Sequence, residues 1–311
     1  MEKRNLGKSD LKVSMAGLGC NNFGWFVDRE KSLEVISAAL DAGINFFDTA
    51  NNYGFPAGES ERILGSALAG QRDSAIIATK VGDKVDDSGT NQGAAPAYVR
   101  KMLEQSLINL RTDYVDLYQL HYPDPEVPIA ETLSAFDALI KEGKVRYVGC
   151  ANHSAAQLAE ALEAAGVSHS AAFISCQSEY SLLAREVEKD LAPMLLQNGV
   201  GFLPYFPLAN GILTGKYLDG DESAGRLETL KQIPFFEKFL TQERFEKVSR
   251  LSEISKRSGI TMTRLALGWL AAQPFVSSVI AGATKPAQVR ANADACMTPL
   301  PAEVVSELDQ L

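Results

Sequence analysis

The chain has 311 residues, 46% hydrophobic and 22% charged, an ordinary globular composition with length enough for one large core or two small ones. A net charge of -9 and an isoelectric point near 5.0 argue against a nucleic-acid binder, which would show a basic face. Four scattered cysteines (Cys20, Cys150, Cys176 and Cys296) form no CxxC pair, so neither a disulfide framework nor a zinc site is expected.

In chain order, Arg4-Asn5-Leu6-Gly7 and Leu11-Lys12-Val13 flank a turn at Lys8-Ser9-Asp10 and predict a small hairpin. A strand is expected over 15–19. A helix follows over 29–40, with Leu33, Ile36 and Leu40 on one face and Gly43 just past its end. Residues 44–47 are too few and too aromatic for a helix and read as a buried strand, with Asp48 where it runs out. Tyr53 lies five residues on, in a loop rich in Asn and Gly, and Gly58-Glu59-Ser60-Glu61 opens a helix carrying Ile63, Leu64 and Leu68.

Further strands are expected over 75–80, ending in Lys80, and over 114–121, ending in His121. Others follow over 145–150, 172–177, 200–205 and 275–280. Helices are expected from Pro96, over 129–142, from a Ser154 cap to 165, over 187–197, 243–257 and 261–273, and from Pro286. The apolar run 265–283 is broken by Gln273-Pro274, so it reads as a buried helix and then a strand, not a membrane span. The start, Met1-Glu2-Lys3-Arg4-Asn5, has no apolar run, which gives the expectation of no signal peptide and a cytoplasmic location.

After the hairpin, eight strands each precede a helix. That alternation implies a parallel sheet, and eight units in this length fit a closed (β/α)8 TIM barrel with an N-terminal β-hairpin and extra helices. A doubly wound sheet would want a glycine-rich loop after its first strand, and Gly17-Leu18-Gly19 followed by Gly24 has the wrong spacing. With no linker or internal repeat, a single domain over 1–311 is expected. In such a barrel all C-terminal strand ends share one rim, where Asp48, Lys80 and His121 would meet beside Tyr53. Taken singly, each has a plainer reading: a turn aspartate, a packing tyrosine, a snorkelling lysine, a satisfied rim histidine. Their convergence favours a site.

The stretches Gly43-Ile44-Asn45-Phe46-Phe47-Asp48-Thr49-Ala50, Tyr53-Gly54, Gly58-Glu59-Ser60-Glu61, Lys80, Asp113 to His121, Gln177, Glu179-Tyr180, Tyr205-Phe206-Pro207-Leu208 and Leu213-Thr214-Gly215-Lys216-Tyr217 together resemble an aldo-keto reductase of the bacterial, NADPH-dependent type, nearly end to end. The resemblance implies a catalytic tetrad of Asp48, Tyr53, Lys80 and His121. Lys80, paired with Asp48, would lower the cost of an ionised or proton-donating phenol at Tyr53, whose reference pKa is about 10. His121 would orient the substrate carbonyl, and a nicotinamide would bring the hydride.

The resemblance also implies cofactor contacts from Gly19, Cys20, Asn21, Asp48, Asn152, Gln177, Tyr205, Leu208, Gly211, Lys216, Gly282, Thr284, Lys285, Gln288 and Asn292. The family's Ser-Asn pair is Ala151-Asn152 here, Phe206 stands where many relatives have Ser, and Ala291 stands where relatives often carry Glu. Lys285, Arg290 and Thr284 suit a 2′-phosphate, so NADPH is expected over NADH, with NADH possible. Substrate contacts are expected from Trp25, Tyr53, Phe55 and His121, with Tyr122 and Phe206 nearby and with 83–95 and 218–240 as variable walls. The expected partner is a small carbonyl or sugar-like molecule, with no nucleic acid or membrane, and the oligomeric state is left open. Two rivals compete. A metal-dependent hydrolase would need several strand-end ligands, but His121, His153 and His169 form no HxH pair and no metal is expected. A nicotinamide-binding regulatory or sensor subunit with little turnover would keep the same residues.

Overall fold

The structure, a computed structural model, describes residues 1–86, 88, 90, 92–218 and 241–311; the expected wall at 218–240 lies, apart from Leu218, outside them. Strands β1 (Lys3–Asn5) and β2 (Lys12–Ser14) form the antiparallel hairpin. Eight strands then make one sheet: β3 (Ala16–Gly19), β4 (Phe46–Asp48), β5 (Ile76–Val81), β6 (Val115–Leu120), β7 (Val145–Ala151), β8 (Ser175–Glu179), β9 (Gly201–Tyr205) and β10 (Val279–Gly282). They lie in the order β10-β3-β4-β5-β6-β7-β8-β9, every pair parallel. The circle closes through a single parallel bridge between Phe202 and Val276, so the (β/α)8 barrel is nearly complete.

Helices cover the outside: α1 (Arg29–Asp41), α2 (Glu59–Ala67), α3 (Pro96–Leu110), α4 (Ile129–Lys141), α5 (Ala155–Ser168), α6 (Leu191–Asn198), α7 (Gln242–Ser258), α8 (Met262–Ala272), α9 (Pro286–Met297) and α10 (Ala302–Leu308). Local chemistry explains their starts. Asp28 accepts from the Lys31 backbone N–H at 2.9 Å, Ser154 and Gln157 form a reciprocal capping box, and Pro96 and Pro286 occupy first-turn positions. None of the helices among the described residues is long and apolar enough to cross a membrane.

Two apolar cores result. The larger lies between sheet and helices and includes Phe47, Ile77, Tyr118, Phe202 and Trp269. The smaller fills the barrel: Phe46, Ala78, Leu117, Leu203 and Ile280 pack against Leu6, Leu11 and Val13 of the hairpin. Alternation along each strand sends one set of side chains inward and the next outward. Each fully buried Leu or Phe contributes about 1.5–3 kcal/mol, so the hairpin is held to the barrel by its three apolar anchors. Gly7, at φ +59°, makes this approach possible: a Cβ there would stand 2.5 Å from the Ile174 carbonyl oxygen. The hairpin therefore stoppers one end of the barrel and leaves the C-terminal strand ends for chemistry.

Glu61 of α2 is buried, accepting from Thr79 Oγ1 at 2.6 Å and Asn109 Nδ2 at 2.9 Å. It ties α2 to β5 and α3. Burial raises its pKa above the ordinary 4.5, against the lowering effect of these bonds. The folded state thus holds this proton more tightly than the unfolded chain. Its contribution is full below about pH 4.5 and is lost as pH rises through the folded value. Glu61→Gln is expected to reduce the fall in melting temperature on going from pH 4.5 to neutrality; an unchanged slope would contradict this.

Candidate active site

The strand ends carry the polar residues. Asp48 ends β4, Lys80 is the penultimate residue of β5, His121 follows β6 directly, Asn152 follows β7, Gln177 lies in β8 and Tyr205 ends β9. Register brings them level, with Gly19 opposite Asp48, Lys80 opposite Gln119, and Ala151 opposite Gln177. Asp48 and Lys80 are both buried, and Lys80 Nζ donates to Asp48 Oδ2 at 2.6 Å and to the Thr49 carbonyl at 3.0 Å. The other Asp48 oxygen accepts from Gln119 Nε2 at 3.1 Å and Gln177 Nε2 at 2.9 Å. A buried ion pair of this kind persists only when its remaining valences are met, as they are here.

Tyr53 stands at the edge of this network. Lys80 Nζ reaches its hydroxyl at 3.4 Å, a long hydrogen bond, and lies 4.9 Å from its ring centroid. Burial first, and then the charge of Asp48, raise the Tyr53 pKa well above 10. The phenol is therefore a neutral donor near pH 7. The His121 ring meets the Tyr53 ring edge-on at 5.9 Å and stacks on Tyr122 at 5.1 Å. Burial, helped by Lys80, lowers the His121 pKa well below 6.5, so the imidazole is neutral too.

A cavity of about 700 Å³ opens on this rim. All fifteen residues named for cofactor contact line it, together with Tyr53, His121, Tyr122 and Phe206. Lys80 stands fully buried behind Asp48 and Tyr53. Arg290 is exposed and is not among the lining residues, nor are Trp25 and Phe55, which are 57% and 86% exposed. Both aromatics sit in turns, and the Trp25 ring lies 4.1 Å from that of Phe26. Asp83, which opens the expected wall 83–95, lines the cavity, and sequence reasoning missed Gln119, Asn22 and Asn210. Gln119 had a signal: it lies two residues before His121 in one strand and so shares its face.

The cavity suits a dinucleotide on its own chemistry. Helix α9 begins without a side-chain cap; Pro286 has no N–H and that of Gln288 goes to the Lys285 carbonyl at 3.0 Å, which leaves the Ala287 N–H for an anion. Thr284 donates from both N and Oγ1 to Gln288 Oε1, at 2.8 and 3.1 Å, fixing the turn before that helix. After β9 the backbone turns left-handed at Phe206, Ala209, Asn210 and Gly211, and the buried Asn210 Nδ2 has no partner. Tyr205 is anchored through its hydroxyl, which donates to Asn152 Oδ1 at 2.8 Å, while Asn152 Nδ2 donates to the His121 carbonyl at 3.0 Å.

Eight parallel strands thus present this set of residues on one rim of a (β/α)8 barrel. The sequence profile of the Aldo/keto reductase family matches residues 16–311, and the chain belongs to that family. It is similar to an uncharacterised oxidoreductase, YqkF, of Bacillus subtilis (strain 168), 35% identical over 95% of this chain and 91% of the relative. It is equally similar to the L-glyceraldehyde 3-phosphate reductase of Escherichia coli (strain K12), 35% identical over 95% and 87% of the two chains. A probable voltage-gated potassium channel subunit beta of Arabidopsis thaliana is 35% identical over 100% and 97%. Membership implies carbonyl reduction with a nicotinamide cofactor.

Proposed function

We propose that the chain, acting as one barrel domain, reduces an aldehyde or ketone to an alcohol with NADPH, Tyr53 giving the proton. The observation that carries this reading is the Asp48–Lys80–Tyr53 chain of contacts, at 2.6 and 3.4 Å, facing His121 across the cavity. A bound nicotinamide supplies the hydride. A carbonyl oxygen between Tyr53 and His121 would gain negative charge as the reaction proceeds, and the neutral phenol would pass its proton there. The nearby Lys80 ammonium stabilises the phenolate left behind, and Asp48 holds that ammonium in place. His121, neutral at working pH, donates a second hydrogen bond without competing for the proton.

Tyr205, Asn152 and Gln177 would hold the nicotinamide end of the cofactor, and Lys285, Thr284 and the start of α9 its distal phosphate. A charge-assisted bond to a phosphate contributes about 1.5–3 kcal/mol, less where solvent reaches it. Lys285→Ala is accordingly expected to weaken NADPH about tenfold in a fluorescence titration while NADH affinity changes little. Equal losses for both cofactors would contradict the phosphate assignment.

The Arabidopsis relative's name favours a second reading, a cofactor-binding subunit with little turnover. One experiment separates the two: a panel of simple aldehydes and ketones offered with NADPH and with NADH. Steady cofactor oxidation supports the reductase. Tight cofactor binding with no oxidation across the panel supports the subunit.

A further inference from the structure

The cavity is polarised in charge. Among the described residues lining it, the lysines Lys216 and Lys285 follow β9 and β10, whereas the carboxylates Asp48 and Asp83 belong to β4 and the loop after β5. In the sheet order, β5 and β6 lie across the barrel from β9 and β10. Asp48 is balanced by Lys80 at 2.6 Å. Among the described residues Asp83 is held by neutral donors: its Oδ2 accepts from Asn52 Nδ2 at 2.8 Å and its Oδ1 from the Lys84 backbone N–H at 2.8 Å. Those two bonds fix the carboxylate in place. Its Oδ2 stands 4.0 Å from His121 Nδ1, too far for a hydrogen bond, and that nitrogen is buried with no partner. His121 is neutral, so it does not offset the Asp83 charge.

We propose that Asp83 sets the charge preference for substrate, admitting uncharged or cationic aldehydes and ketones and disfavouring those with a carboxylate or phosphate a few bonds from the carbonyl. This rests on the reductase reading of the same site. A carbonyl oxygen held by Tyr53 and His121 places the neighbouring substrate atoms within reach of Asp83, beside the stacked Tyr122 ring. The side chain of Asp83 is one-third exposed, so water weakens the repulsion without removing it. Specificity by repulsion of this kind needs no contact with the favoured substrate.

The test compares 4-oxobutanoate with its methyl ester, nearly equal in size but different in charge. In the wild-type protein the ester is expected to have the higher kcat/KM by about tenfold or more. Asp83→Asn should bring the ratio within about threefold of one, and Asp83→Lys should reverse it. Raising the salt to 0.5 M should shrink the wild-type ratio without any mutation. A ratio is independent of how much active protein each preparation holds. If no cofactor is oxidised with either compound, the reductase reading is judged by the carbonyl panel, and the same ratio is taken from dissociation constants measured by calorimetry on NADPH-loaded protein. By either readout, a wild-type ratio near one, or a ratio unchanged in Asp83→Asn, overturns the proposal.

Discussion

Tyr53→Phe is expected to lower kcat for carbonyl reduction by a factor of about 10²–10⁴, the usual contribution of a positioned proton donor, with NADPH affinity changed by no more than a few-fold. The substitution removes one oxygen and leaves the ring against His121. The hydroxyl accepts a long bond from Lys80, whose shorter bonds go to Asp48 and Thr49, so the fold loses little. An effect on kcat without one on cofactor binding marks an interaction realised in the transition state. Single-turnover kinetics with a fluorescence titration on the same preparation would measure both. A variant retaining a tenth or more of the wild-type rate would mean that the proton comes from elsewhere.

Asp48→Leu should be the most damaging single change to stability within the site. It strands the Lys80 ammonium in a fully buried position and leaves Gln119 and Gln177 without the oxygen both now reach. Breaking one partner of a buried ion pair costs about 3–5 kcal/mol, whereas replacing both with apolar groups of similar volume is often close to neutral. The double variant Asp48→Leu/Lys80→Met should therefore unfold at a higher urea concentration than the single one while remaining inactive. If the single variant is as stable as the wild type, or the double variant is weaker than the single one, the pair does not hold the site as described.

How much of this could be read without coordinates depended on the kind of signal. The strands ending in Asp48, Lys80, His121 and Tyr205 are short apolar runs closed by a polar residue, and the barrel rule then gathers those residues on one rim. The last strand was expected over 275–280 but runs Val279–Gly282. Phe275 and Val276 are buried, which gives them the look of a strand, yet they sit in the segment that closes the barrel against Phe202. An apolar run without periodicity does not say which of its residues are paired. The short helix Ala302–Leu308 was not expected, since only Val304 and Leu308 of its seven residues are buried.

Trp25 and Phe55, expected at the substrate, are largely exposed and do not line the cavity, which a reading of loop aromatics alone does not foresee. The raised pKa of Tyr53 was out of reach as well. It depends first on how deeply the fold buries the phenol and then on how near Asp48 lies to it, neither of which any spacing along the chain encodes.

The central claim is that this rim carries hydride to a carbonyl carbon and does more than bind a dinucleotide. The most direct measurement uses NADPH bearing deuterium at the transferable C4 position, the wild-type protein and an aromatic aldehyde reduced in the panel, with the product analysed by mass spectrometry. The account predicts one deuterium on the carbinol carbon of the alcohol and none in the product formed with unlabelled cofactor. Tight binding of the labelled cofactor, with no labelled alcohol from any carbonyl tried, would contradict it.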